Sequence, residues 1–353
     1  MFVSGIATAV PAARYTKAEC WDAFRHSVWF QRLDRRAHAI AEAVLTRDNG
    51  IAARRLALDS LDEVFTIDPD TLEARFERHA PGLAAQAAMR ALGKAGLDAS
   101  AIDAVVVSTC TGYLCPGLTG HLVERVGLRA DVRTFDLVGQ GCAAALPNWQ
   151  LADALLEARR CEHVLSVCVE VSSAAMFLDN DPGVLVSACL FGDGAGAAIL
   201  SRTAPVRGRR VEWQDVESYL EPKNRNALRF ERQQGMLRNV LTRPVPRLAA
   251  DAALHVLQAV LRRRELDPAQ IRTWIMHAGG RDVLQALADR LGIADHDLRY
   301  SAAILREYGN MSSAFIYFVL EAALDDAADG GWWWMSSFGA GFACHGALLA
   351  VAA

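Results

Sequence analysis

This chain repeats itself, and the repeat limits its architecture more tightly than composition does. The stretch from Leu97 to Ser108 is echoed from Leu266 to His277, each following a helix-like segment, Leu83 to Lys94 and Leu248 to Arg263. Later, the run from Leu190 to Ala198 is echoed from Ser337 to Ala343, with Phe-Gly-x-Gly in both. One such match in alanine-rich text carries little weight, but two in the same order point to duplication. The unit reads as helix, strand, helix, strand, then a hairpin turned on Phe-Gly-x-Gly. Alternating helices and buried strands predict an α/β architecture with a mostly parallel sheet.

Two such units, 1–205 and 206–353, pack into five layers (αβαβα), with one central helix from each half buried between the sheets. The candidates are Cys142 to Leu156 and Ser312 to Leu324, both almost free of charge where they begin. A helix apolar all round belongs in a core. At 353 residues and 52% hydrophobic, the chain has the length and the apolar content for that core.

Composition removes several function classes. Net charge is −4 and no basic stripe interleaves with aromatics, which excludes nucleic acid as a partner. The eight cysteines are scattered without a Cys-x-x-Cys pair, as expected of reduced thiols in the cytoplasm. The apolar N-terminus lacks a basic lead and meets Pro11 early, so it reads as a first strand. Trp332 to Ala353 has no Lys, Arg, Asp or Glu, yet its glycines, serines and His345 favour two buried strands over a membrane span.

The repeat also aligns chemistry. Cys142 lies 34 residues after Ser108, and Asn310 lies 33 after His277, so the two fall at near-equivalent turns into a buried helix. Around Cys142, Gly-Gln-Gly-Cys-Ala-Ala-Ala places a thiol on a glycine elbow at a helix start, where positive φ is tolerated. Free N–H groups there favour a thiolate, so the thiol is expected to ionise well below its ordinary value of about 8.5. The plainer reading is an inert buried cysteine. His277 ends an apolar strand before Gly279-Gly280 and can form an ion pair with the thiolate or donate to an oxyanion. Asn310 offers an uncharged N–H donor at the second elbow, or simply a helix cap.

Gly141-Cys142, Trp274 to Gly280, Gly309-Asn310-Met311-Ser312-Ser313-Ala314 and Leu190-Phe191-Gly192-Asp193-Gly194 together resemble the type III polyketide synthases, the chalcone synthase family of the thiolase-fold superfamily. The resemblance spans nearly the whole chain and implies a duplicated thiolase-like fold. It implies that Cys142 takes a starter acyl group from coenzyme A. His277 and Asn310 then decarboxylate malonyl-CoA and stabilise the enolate that attacks the acyl-enzyme. It further implies a gatekeeper in Phe191, and cavity positions at Cys110, Ala175, Gly235, Leu237 and Ser312. Cys115 would close the partner subunit's cavity in a homodimer. For coenzyme A the candidates are Arg47, Arg54 and Arg55, with Gly279 and Gly280. No metal, nicotinamide or carrier protein is implied. Ala340 stands where the family usually has proline.

The matched cavity positions are small or apolar, so fatty acyl starters giving alkylpyrones or alkylresorcinols are expected. Chalcone- or tetrahydroxynaphthalene-type products are the alternatives. A single-round ketoacyl synthase would use the same three residues, but that family's usual Gln-Ala-Asn after the histidine is missing. A cysteine hydrolase would want an acid beside His277, and a non-catalytic scaffold would have no need of all three.

Overall fold

The computed structural model describes residues 1–353. Five strands lie side by side in the order Phe2–Ala9, Gly194–Ser201, His163–Glu170, Ala104–Ser108, Arg133–Leu137. Four more follow on the other side of Phe2–Ala9: Val211–Leu220, Ala343–Val351, Gly331–Gly339, Ile271–Met276. The two sets touch through a single pair, Phe2 with Glu212. They therefore form two sheets that share one corner.

Between them run the two central helices, Ala145–Glu157 and Phe315–Asp325, each packed on strands of both halves. The sequence explains this placement. Phe315 to Leu320 carries no charge, and every one of these side chains is buried. Each such Phe, Leu, Ile or Val contributes about 1.5–3 kcal/mol by leaving water. The helices meet where Trp149 Nε1 donates to the Tyr317 hydroxyl at 3.1 Å, so the two large polar tips are satisfied inside the core.

The outer layers are the long helices Pro69–Ala95 and Val245–Arg264. The first begins on Asp68, whose carboxylate accepts from Thr71 N at 3.0 Å, with Pro69 in the first turn. It ends at Gly96, which adopts φ +66°.

The architecture is the expected αβαβα, but three expectations are corrected. The sheets are mixed: Ala104–Ser108 pairs in parallel with two neighbours and Ile271–Met276 with one, while the remaining strand pairings are antiparallel. The reason is that the last strand of each unit turns back and pairs with a strand that precedes the repeat. The first Phe-Gly-x-Gly is no hairpin; it leads from the helix Pro182–Leu190 into Gly194–Ser201. Both central helices also start later than expected. A short 3₁₀ turn comes first, Gly141–Ala143 in one half and Ser312–Ala314 in the other.

Candidate active site

Cys142 sits in the first of these 3₁₀ turns. Gly141 before it has φ +54°, and a Cβ there would come within 3.1 Å of Ala340 N. The elbow thus needs glycine twice, for its dihedral angle and for close packing against the turn at Ala340. The thiol is buried, and Ser312 Oγ donates to its sulfur at 3.2 Å. Ser312 has φ +51°, a left-handed conformation that costs a serine of order 1–3 kcal/mol. Its surroundings hold it there: Ser312 N donates to Asn310 Oδ1 at 2.8 Å, and Cys110 Sγ lies 3.3 Å from its hydroxyl.

With Asn310 Oδ1 occupied, the amide is oriented. One Nδ2–H goes to Gly279 O at 3.2 Å, leaving the other for a substrate. His277 follows the strand Ile271–Met276, its N–H donating to Ser336 O at 2.9 Å. Its ring is 1% exposed and lies edge-on to Phe315 and Phe338, at 5.3 and 5.0 Å. Neither Nδ1 nor Nε2 has a hydrogen-bond partner. Buried polar atoms are rarely left so, and each costs about 1–3 kcal/mol.

Burial sets the protonation of both groups. It pushes the Cys142 thiol up to about 12, the Ser312 hydrogen bond opposing it, and the His277 imidazolium down to about 3. The expectation of a low thiol pKa from the helix start alone is therefore corrected: desolvation outweighs what one helical turn supplies. Burial thus disfavours either charge on its own, whereas a proton passed from sulfur to imidazole would leave a net-neutral pair.

Cys142, His277, Asn310 and Phe191 all line one tunnel, together with Gly279, Gly280, Leu190 and Phe338. Behind Cys142 lies an inner cavity walled by Cys110, Ala175, Met176, Val184, Ser312 and Phe191. Phe191 and Cys142 face both spaces. Sequence reasoning missed Glu170, which lies wholly buried at the edge of this cavity. Its carboxyl accepts from Cys110 N and Thr111 Oγ1, each at 3.0 Å, and from Ser313 Oγ. Burial raises its pKa. Contacts run unbroken from Cys142 through Ser312 and Cys110 to Glu170. The available signal was a lone acid closing the apolar strand His163–Glu170.

The comparisons bear on this geometry. Residues 17–215 match the family described as FAE1/Type III polyketide synthase-like protein, and residues 218–351 match the C-terminal domain of chalcone and stilbene synthases. The chain is a type III polyketide synthase. It is 30% identical to the 1,3,6,8-tetrahydroxynaphthalene synthase of Streptomyces peucetius subsp. caesius, covering 90% of this chain and 84% of that one. It is 30% identical to the phloroglucinol synthase of Pseudomonas fluorescens, covering 76% of each. A brown-algal structure, PKS-I from Ectocarpus siliculosus, superposes with TM-score 0.89 at 24% identity over 99% and 97% of the two chains, which shows the shared thiolase-like fold.

In this synthase not every site residue expected from sequence comes together. Gly235 belongs to the turn between Leu228–Gln233 and Met236–Leu241, and it and Leu237 line an outer cavity shared with Cys110, Thr111 and Ala340. They do not touch the inner one. Cys115 is exposed, next to Pro116. The three arginines expected to meet coenzyme A are absent from the tunnel. Arg47 is exposed beyond the helix Arg35–Thr46. Arg55 donates to Ala12 O at 2.9 Å. Arg54, on the short strand Ala53–Arg55, is buried. The arginines that do line the tunnel are Arg36, Arg243 and Arg281, which only the tertiary fold brings together.

Proposed function

We propose that this synthase loads an acyl group from coenzyme A onto Cys142 and extends it with malonyl-CoA. The observation that carries the reading is the buried, unpartnered imidazole of His277, in one tunnel with a thiol and a half-free amide. In the first step the thiol proton passes to His277, and sulfur attacks the thioester carbonyl, expelling coenzyme A thiol. In the second, malonyl-CoA loses CO₂ and the electron pair of that C–C bond becomes an enolate. Asn310 Nδ2–H and a His277 N–H donate to its oxygen, and an amide does so without quenching it by proton transfer. The enolate carbon then attacks the acyl carbonyl, the C–S bond to Cys142 breaks with the thiol reformed, and the lengthened chain is carried on coenzyme A, ready to be loaded again.

Arg36, Arg243 and Arg281 supply the positive charge for the coenzyme A phosphates at the tunnel, and Arg36 and Arg243 form no ion pair within the chain. Coenzyme A thioesters are the substrates, and the steps above call for no metal, nicotinamide or carrier protein. A second copy of the chain covers the face around Cys115, where Tyr113 and Val138 are 65% and 67% exposed beside the outer cavity. A cytoplasmic setting suits its eight free thiols. No helix is long and apolar enough to cross a membrane.

The inner cavity's Ala175, Met176, Val184 and Ala188 favour an alkyl starter, since each buried methylene gains about 0.8 kcal/mol. The product is then an alkylpyrone or alkylresorcinol. One observation favours a second reading. Ser172 Oγ is buried on that wall without a partner, and Arg229 and Asn239 also line it, a surface for oxygen-rich chains built from malonyl units alone. The test is to incubate the purified protein with malonyl-CoA alone and with decanoyl-CoA or coumaroyl-CoA, identifying products by mass. No product longer than a single condensation from any starter would refute polyketide synthesis. A higher kcat/KM for decanoyl-CoA selects the alkyl reading, and full activity on malonyl-CoA alone the second.

A further inference from the structure

Arg54 is a buried cation beside the site whose purpose the reaction above does not explain. Its side chain lines a neighbouring apolar pocket rather than the tunnel, and it lies within salt-bridge distance of no carboxylate. A guanidinium held in such a place costs several kcal/mol unless its donors are fully used. Three of its five N–H donors are placed, two of them on backbone carbonyls. Nη1 donates to Ala188 O at 2.8 Å and to Phe191 O at 3.0 Å, while Nη2 reaches Cys20 Sγ at 3.4 Å. Both carbonyls lie at the C-terminal end of the helix Pro182–Leu190, where partial negative charge accumulates. The helix end stands in for a counter-ion.

That helix end is tied directly to the second elbow. Asn310 N donates to Leu190 O at 3.0 Å, and Gly192 N donates to Asn310 O at 2.9 Å, an isolated parallel bridge between Phe191 and Asn310. The strand of Arg54 is laced to the same segment, because Asp193 N donates to Arg55 O at 2.8 Å and Ala57 N to Asp193 Oδ2 at 2.7 Å. The fit is close as well. A Cβ on Gly309, which has φ +71°, would meet Leu190 O at 2.6 Å and Arg54 Cγ at 3.1 Å. Three distant stretches of chain thus converge on one bridge, and Arg54 holds two carbonyls at its base.

The geometry points to Arg54 as the positioning residue that sets Phe191 and Asn310 in register with the tunnel. The inference rests on the enolate role proposed for Asn310. It does not touch the substrate: it acts through the bridge. A lysine cannot hold two carbonyls in one plane, so charge alone does not replace it. Misplacement of a reacting group by about 1 Å can cost on the order of 100-fold in rate.

The experiment uses Arg54→Lys and Arg54→Gln, with Asn310→Ala and the double variant Arg54→Lys/Asn310→Ala. Malonyl-CoA decarboxylation and acyl loading of Cys142, by intact mass, are followed on protein whose thermal unfolding shows it folded. Both Arg54 variants are expected to lose about tenfold or more in kcat for decarboxylation, with KM and loading changed less than about threefold. Adding Arg54→Lys to Asn310→Ala is expected to cost nothing further. Equal loss in loading and decarboxylation, a full further loss in the double variant, or wild-type rates would each overturn the proposal. If one Arg54 variant fails to fold, the other decides. An Asn310→Ala protein with undiminished decarboxylation would instead sink the reading of the site on which the proposal rests.

Discussion

Ser108 and His277 occupy the same place in the two halves, at the end of the strand before each central helix, and they have opposite fates. Ser108 Oγ donates to Asn148 Oδ1 at 2.6 Å, and Asn148 Nδ2 donates to Val167 O at 3.1 Å, so this buried polar group is fully used by the fold. His277 uses its ring for nothing within the chain. One strand end closes on itself within the fold, and the other keeps both ring nitrogens free, as the role proposed for His277 requires. The connections differ too. Between its last two strands the first half inserts Val171 to Asp193, which supplies Phe191 and much of the inner cavity. The second half crosses the same gap with Ala340 to Phe342. Its tight turn packs under Gly141 instead.

The sharpest way to break this comparison is at Cys142. Cys142→Ala should give no polyketide from any starter, while decarboxylation of malonyl-CoA persists through His277 and Asn310. Ordinary product from this variant would remove the nucleophile from the first half. Next in size, Asn310→Ala should slow decarboxylation by about two to three powers of ten, as expected for loss of one oxyanion donor, with acyl loading much less affected. Equal losses in both steps would make Asn310 a cap rather than a donor.

A pH experiment addresses His277. Burial holds the Cys142 thiol up near 12, and His277 is the base proposed to take its proton. His277→Phe should therefore slow iodoacetamide alkylation at neutral pH by tenfold or more and move its profile upward. Superimposable profiles would rule out proton transfer to His277. The same residue has a signature in stability. Its folded pKa, about 3, lies below the ordinary value of 6.5, so between the two the unfolded chain takes the proton and the native protein does not. That part of stability is present above pH 6.5 and lost as pH falls through this window. The drop in denaturant midpoint from pH 7 to pH 5 should be smaller in His277→Phe than in the parent. An equal drop would mean that the ring is charged in the fold.

The smallest effect belongs to the other half. Ser108→Ala orphans Asn148 Oδ1 and should cost about 1–3 kcal/mol of stability, with kcat per folded molecule unchanged. A selective loss of kcat would show that the first strand end also takes part in the chemistry.

Much of this was legible in the sequence, for physical reasons that also set its limits. The repeat and the charge-free runs gave the layers and both central helices, because burial on all sides leaves no polar face to hide. Glycines at both elbows marked Cys142 and Asn310, since Gly141 and Gly309 adopt backbone angles that few other residues reach. The strand order was not legible, as pairing direction depends on which distant strand fills the edge. Nor were the tunnel arginines. Arg36, Arg243 and Arg281 are far apart in the chain, and nothing local distinguishes them from solvated ones. Glu170 was readable in principle, an acid ending an apolar strand, but only its five donors show how it is kept. For Cys142 the local signal misled, because helix-start chemistry is visible in sequence and desolvation is not.

The corner shared by Phe2 and Glu212 has a consequence for how the protein is made. With one strand pair between the sheets, the halves hold together through the packing of the central helices, which meet at Trp149 and Tyr317, and through the backbone bridge between Phe191 and Asn310. During synthesis the helix Ala145–Glu157 leaves the ribosome long before Phe315–Asp325 exists to cover it. The nascent first half must carry that naked apolar flank for more than a hundred residues of further translation, which proceeds at roughly 5–20 residues per second. Cys142, just before that helix, travels with it until the second half arrives.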